Sequence, residues 1–225
     1  MKRNISIDLI RGIESLHGIG KLESMHGDSI DKTIMMIISK NISSQLISTT
    51  DWKTNYKNMG TFCEGTGDYY TKFDFDPPCM INKPRGSQNT PDFMILYKNR
   101  GICFESKSTK AQHIVWNSGI PKPNIIYIFN GNPPKNAQYT STTFFMGKDM
   151  VSKQEVELLK LCRKTMELSV ESYNLQLKPL GLWNVYPRPM YGCSDAILTN
   201  TLRISRERSV VKYIHEFNWE FEERV

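Results

Sequence analysis

The stretch Thr90-Pro91-Asp92-Phe93-Met94-Ile95-Leu96-Tyr97-Lys98-Asn99-Arg100-Gly101-Ile102-Cys103-Phe104-Glu105-Ser106-Lys107 decides the fold. Two runs rich in aromatic and β-branched residues, 93–97 and 101–107, flank Lys98-Asn99-Arg100-Gly101, a tight-turn signal, so the segment reads as a β-hairpin. Strand side chains alternate faces. Glu105 and Lys107 therefore share one face with Cys103, while Ile102, Phe104 and Ser106 take the other. A turn near Asn99-Arg100 brings Asp92 back beside the rungs of Glu105 and Lys107. Two carboxylates and one ammonium then meet at one end of the hairpin. Such a group suits a hard cation such as Mg²⁺, which takes a few carboxylates, waters and a substrate's phosphate oxygens. The bland alternative is a hairpin with a surface Glu and Lys.

Outward from the hairpin, Ile30, Ile34, Ile37, Ile38, Ile42 and Leu46 mark a helix from Ser29 to about Ser48. Residues 1–28 predict one short or broken helix among several glycines. Strands are expected at 124–129 and 142–147. Ser152 and Glu155 form a capping box ahead of a helix running to about Tyr173. Residues 50–91 and 178–194, rich in Gly, Pro and aromatics, read as long loops at a binding surface. The basic and aromatic stretch 200–225 carries no firm assignment. Helix, hairpin, strand and helix in that order predict one α/β domain over residues 1–225, with a mixed central sheet flanked by helices.

The 225 residues carry 29 Lys and Arg against 23 Asp and Glu, a net charge of +6 that suits a polyanionic partner. Hydrophobic residues at 39% exclude disordered and fibrous classes. The longest apolar stretch, Ile34–Ile38, is far short of a membrane span, and no signal-peptide core fits the N-terminal residues. Five scattered cysteines without CxxC spacing argue against a disulfide framework or zinc and for reduced thiols in a cytoplasmic protein.

Pro91-Asp92 with Glu105-Ser106-Lys107, set on a hairpin, resembles the PD-(D/E)xK nuclease superfamily, over roughly residues 25–130. Within it the chain is similar to type II restriction endonucleases. The resemblance implies a restriction-endonuclease-like core and Mg²⁺ held by Asp92 and Glu105. It also implies Lys107 positioning water and Asp31 as the acidic residue of the preceding helix. Asp31 is one carbon shorter than the usual Glu, and its other reading is a charge favouring the helix N-terminus. A nuclease of this kind needs cations for phosphates and amides or guanidiniums for base edges. Lys83, Arg85, Gln88 and Asn89 precede the motif. Ser108, Lys110, Gln112, Trp116 and Asn117 follow it. Lys178, Tyr186, Arg188, Tyr191, Arg203, Arg206 and Arg208, aromatic and basic residues interleaved, form a third set that reads equally as a dimer interface. The expected partners are double-stranded DNA and a second copy of the chain. The same fold also serves junction resolvases and repair nucleases, and a non-catalytic nucleic-acid-binding module would turn the motif into a salt-bridge cluster.

Overall fold

The computed structural model describes residues 2–22, 27–56, 60–62, 66–87, 89–109, 113–116, 119–132, 140–177, 190–193, 196–198 and 201–222. In chain order the elements are β1 (Lys2–Asn4), α1 (Ile5–Glu14), α2 (Gly27–Ile42), β2 (Gln45–Ile47), α3 (Thr49–Asp51), β3 (Gly60–Phe62), β4 (Tyr69–Asn82), β5 (Phe93–Ser108), β6 (Val115–Trp116), β7 (Ile126–Asn130), β8 (Thr142–Met146), α4 (Lys153–Leu177), β9 (Tyr191–Gly192), α5 (Arg203–His215) and β10 (Glu220–Glu222). The central sheet runs β2-β4-β5-β7-β8, with β3 added to β4. β2 lies parallel to β4 and β5 parallel to β7, whereas β4–β5 and β7–β8 are antiparallel. The fold is therefore α/β with a mixed sheet, as the sequence predicts.

β5 is extended through 16 residues yet folds back on itself. Asp92 N–H donates to the Phe104 carbonyl at 2.9 Å. The rings of Phe93 and Phe104 stack at 4.8 Å, and a Cβ on Gly101 would meet Leu96 Cδ2 at 2.9 Å. Lys98, at φ +51°, supplies the left-handed residue of the turn. The first arm pairs antiparallel with β4, Asn82 opposite Phe93 and Met80 opposite Ile95. The second pairs parallel with β7, Glu105 opposite Tyr127 and Lys107 opposite Phe129.

Strand alternation sorts the apolar residues into two cores. Met80, Phe93, Ile95, Tyr97, Ile102, Phe104, Ile126, Ile128, Phe144 and Met146 face α1, α2 and α5. Cys79, Ile81, Met94, Leu96, Cys103, Tyr127, Phe129 and Phe145 face Trp52, Trp116, Met150, Ile197 and Leu198. Burying each Ile, Leu or Phe here contributes about 1.5–3 kcal/mol, so this sorting fixes which way Glu105 and Lys107 point. α1 presents Ile5, Leu9, Ile10 and Ile13 to the first core, and Asn4 Oδ1 caps it by accepting from Ile7 N–H at 2.9 Å. At Gly12 it passes so close to α2 that a Cβ would lie 3.3 Å from Ile38 Cα.

Three expectations are corrected. The 50–91 region is not one long loop: it holds β3 and the 14-residue β4. Pro77 and Pro78 suggested turns, but they fall where the β4–β5 register shifts between Phe75 and Cys79, a place where a ladder tolerates proline. The helix over 29–48 stops at Ile42, because Ser43 takes φ +48° and Leu46 enters β2 opposite Met80. In the unassigned C-terminal stretch, 203–215 forms α5 and β10 pairs with β1. The capping box ahead of α4 is present, with Ser152 N–H donating to Glu155 Oε2 at 2.6 Å and Glu155 N–H to Ser152 Oγ at 3.2 Å. Of the predicted loop 178–194, residues 178–189 lie outside the described residues. No described helix is long and apolar enough to cross a membrane.

Candidate active site

The fold-back of β5 carries the expected cluster. Asp92 sits at the entry of the ribbon and Glu105 and Lys107 near its exit, and all three line one cleft of about 450 Å³. Ser87, Asn89, Thr90, Ser108, Trp116, Lys122 and Tyr127 complete much of its wall. A second hollow of about 410 Å³, lined by Asp149, Glu155, Tyr191 and Arg206 among others, shares no residue with it.

Backbone geometry aims the carboxylates. Ser106 N–H donates to Asp92 Oδ2 at 2.8 Å, pinning Asp92 to the second arm. Ser106 Oγ donates to Asp31 Oδ1 from α2 and lies 3.4 Å from Asp92 Oδ2. Lys83, just beyond β4, donates its backbone N–H to the Asp92 carbonyl at 2.6 Å. Its ammonium lies between the two carboxylates, 2.5 Å from Asp31 Oδ2 and 2.6 Å from Asp92 Oδ1. Lys107 Nζ donates to Glu105 Oε1 at 2.7 Å. Glu105 is only 8% exposed, and its Oε2 has no hydrogen-bond partner among the described residues.

These surroundings set the charge states. Burial raises the Asp31 carboxyl above its ordinary range, Asp92 adds to the rise, and Lys83 and Ser106 oppose it. Burial by itself would lower the Lys83 ammonium, but hydrogen bonds to Asp31 and Asp92 overcome this and hold it well above the ordinary lysine value. Burial also raises Glu105, against the pull of Lys107 and with the push of Asp92. An acid buried at such cost with one oxygen unpaired fits a site that a cation or a protonated group completes.

Among the described residues no three Asp, Glu, His or Cys side chains gather as a ready-made metal group. Asp31 and Asp92 are drawn together around Lys83, while Glu105 pairs with Lys107. The carboxylates are thus divided between two lysines.

The DNA-contact sets are also redistributed. Lys83 is spent inside the acidic cluster, its side chain 16% exposed, rather than reaching outward. Trp116 is buried at the cleft wall, its ring 5.8 Å from that of Tyr127. Arg203 is held by Glu207 Oε1 at 3.0 Å and Thr140 Oγ1 at 2.9 Å, and Arg206 is buried. Arg203 thus joins a cluster in which Glu207, on the same helix, also binds His17 and Thr143. Arg85 donates to the Thr90 carbonyl and lies over the Phe62 ring. Asn89 and Ser108 remain exposed on the rim of the cleft. Gln88, Lys110, Gln112, Asn117 and Arg188 lie outside the described residues. Sequence reasoning missed Lys122 and Tyr127 as cleft residues and Lys83 as the counter-charge. No sequence signal marked Lys83, because the strand it follows is defined only by its pairing with β5.

Comparison of the chain with protein-family models, with characterised proteins and with solved structures gives no match.

Proposed function

We propose that this chain is a Mg²⁺-dependent endonuclease that hydrolyses phosphodiester bonds in double-stranded DNA at a specific sequence, in the manner of type II restriction enzymes. The observation that carries the reading is the β5 ribbon, which puts Asp92, Glu105 and Lys107 on one cleft and leaves a buried Glu105 oxygen unpaired. Asp92, Glu105 and, on reorganisation of Lys83, Asp31 are the residues that would hold the ion, which when bound polarises a phosphoryl oxygen and acidifies water. Glu105 lines the cleft while its side chain is kept from bulk water. Asp92 is oriented by Ser106 N–H, so its carboxylate does not have to be ordered when substrate arrives. Lys107, 27% exposed, can leave Glu105 to orient the attacking water or to stabilise charge developing on the phosphate. Lys122, which also lies over the Phe62 ring, and the polar rim residues Asn89 and Ser108 would meet the backbone of the nucleic acid. The net charge of +6 favours that encounter.

Incubation of plasmid and long linear DNA with Mg²⁺ tests the proposal. Discrete fragments, lost on Lys107→Ala with binding retained, support it. Full cleavage by the Lys107→Ala protein refutes the role given to that lysine. Nicking confined to branched substrates would reassign the site to a resolvase. An absence of cleavage on every nucleic acid, with divalent-ion affinity unaltered by Asp92→Asn, would reduce the cluster to a salt-bridge network.

A further inference from the structure

Helix α4 runs 25 residues and, among the described residues, contributes no side chain to either core. Its length, about 37 Å at 1.5 Å per residue, lies almost wholly in solvent. A helix of this length in a monomer ordinarily hides an apolar stripe against its own domain. Here the stripe faces outward: Leu158, Leu161, Leu168 and Leu175 are 60%, 62%, 54% and 76% exposed. Their spacing is informative. Leu158, Leu161, Thr165, Leu168, Ser172 and Leu175 follow intervals of three, four, three, four and three, the heptad rhythm of a two-helix seam, with leucine at every second core position.

We propose that α4 is the self-association surface of this protein, and that two copies pair their α4 helices antiparallel. The partner's orientation follows from charge and layer composition. In an antiparallel pair centred between Met166 and Glu167, Leu158 meets Leu175 of the second copy, Leu161 meets Ser172 and Thr165 meets Leu168, so every layer holds a leucine. The flanking Lys164 then lies between the same two layers as Glu171 of the second copy, and two-fold symmetry makes this contact twice. Lys164 and Glu171 are both exposed on the isolated helix. A parallel pair would stack Thr165 on Thr165 and Ser172 on Ser172, and would set Lys164 beside Ser169, with no opposite charge to meet. A third protein is disfavoured by the same symmetry, since the helix is its own complement. The inference stands apart from the nuclease reading, because no cleft residue lies on α4.

Sedimentation velocity on the full chain, over a wide concentration range, tests it. The wild type should sediment as a dimer that dissociates on dilution. Leu161→Glu and Leu168→Glu should shift it to monomer with unchanged far-ultraviolet circular dichroism, since both side chains are exposed in the single chain. Lys164→Glu and Glu171→Lys should each weaken the dimer tenfold or more, and the double exchange should restore it. A monomer at every concentration overturns the proposal, as does a dimer indifferent to Leu161→Glu. Failure of the double exchange to restore association overturns the antiparallel arrangement.

Discussion

Replacing Lys83 by Met removes the ammonium between Asp31 and Asp92 while keeping the stem that fills the space. The side chains involved are 16%, 7% and 14% exposed, so solvent screens their interaction poorly. Two charge-assisted hydrogen bonds at 2.5 and 2.6 Å are lost, each worth about 1.5–3 kcal/mol. Removing one partner from a buried ion pair costs about 3–5 kcal/mol. Because Asp31 can take up a proton and relax part of that penalty, the expected loss near pH 8 is about 2–4 kcal/mol. The pH dependence follows from the raised Asp31 carboxyl. A group whose pKa rises on folding contributes stability that is complete below its unfolded value and is lost as pH climbs through its folded value. Loss of Lys83 removes two influences that lower Asp31, pushing the folded value further up. The deficit of the variant therefore opens as pH rises from about 4, the unfolded carboxylate value, and is smallest in acid. Urea unfolding of both proteins across pH measures it, with added Mg²⁺ as a second arm in which the variant should gain more stability than the wild type. A deficit under about 1 kcal/mol, the range of an exposed pair, or one that is flat with pH, refutes the reasoning.

Glu105→Gln should leave stability at neutral pH equal or higher, because a buried acid with a raised pKa is replaced by a neutral amide. Single-turnover cleavage by the same variant should fall on the order of 10²–10³-fold; undiminished turnover removes Glu105 from the machinery. Arg203→Ala should cost about 1–2 kcal/mol in unfolding experiments, with unchanged DNA affinity by fluorescence anisotropy. Weaker DNA binding at full stability would return Arg203 to the nucleic-acid surface. Gly147→Ala should destabilise by about 2 kcal/mol or more, since a Cβ there would drive into the Lys122 carbonyl beside the cleft; a wild-type melting temperature contradicts that packing.

Period-two alternation made the central sheet legible. The runs at 93–97 and 101–107 each have a polar or glycine break at their ends, so their folding-back and the common face of Glu105 and Lys107 could be read before any coordinates. β4 was not legible, because Asp74, Asp76, Pro77 and Pro78 interrupt its pattern and only pairing with β5 and β3 makes it a strand. Lys83 and Arg203 are drawn inward for a shared reason. A cationic side chain reads as surface in isolation, and only tertiary contact reveals a buried carboxylate waiting for it. The division of Asp31, Asp92 and Glu105 between two lysines is likewise invisible in spacing, since it depends on how α2 docks over Ser106.

The β5 ribbon has a bearing on how the protein fails when heated. Asp92, Glu105 and Lys107 are joined by one short covalent loop whose two arms lie in the middle of the sheet, paired on both flanks. Such a segment opens only with the whole molecule, whereas docked pieces part earlier. Loss of the cluster's geometry should thus coincide with global melting and not precede it. The contacts from Asp31 and Lys83, which reach the ribbon from a helix and a strand end, can loosen first and leave the three motif residues in place.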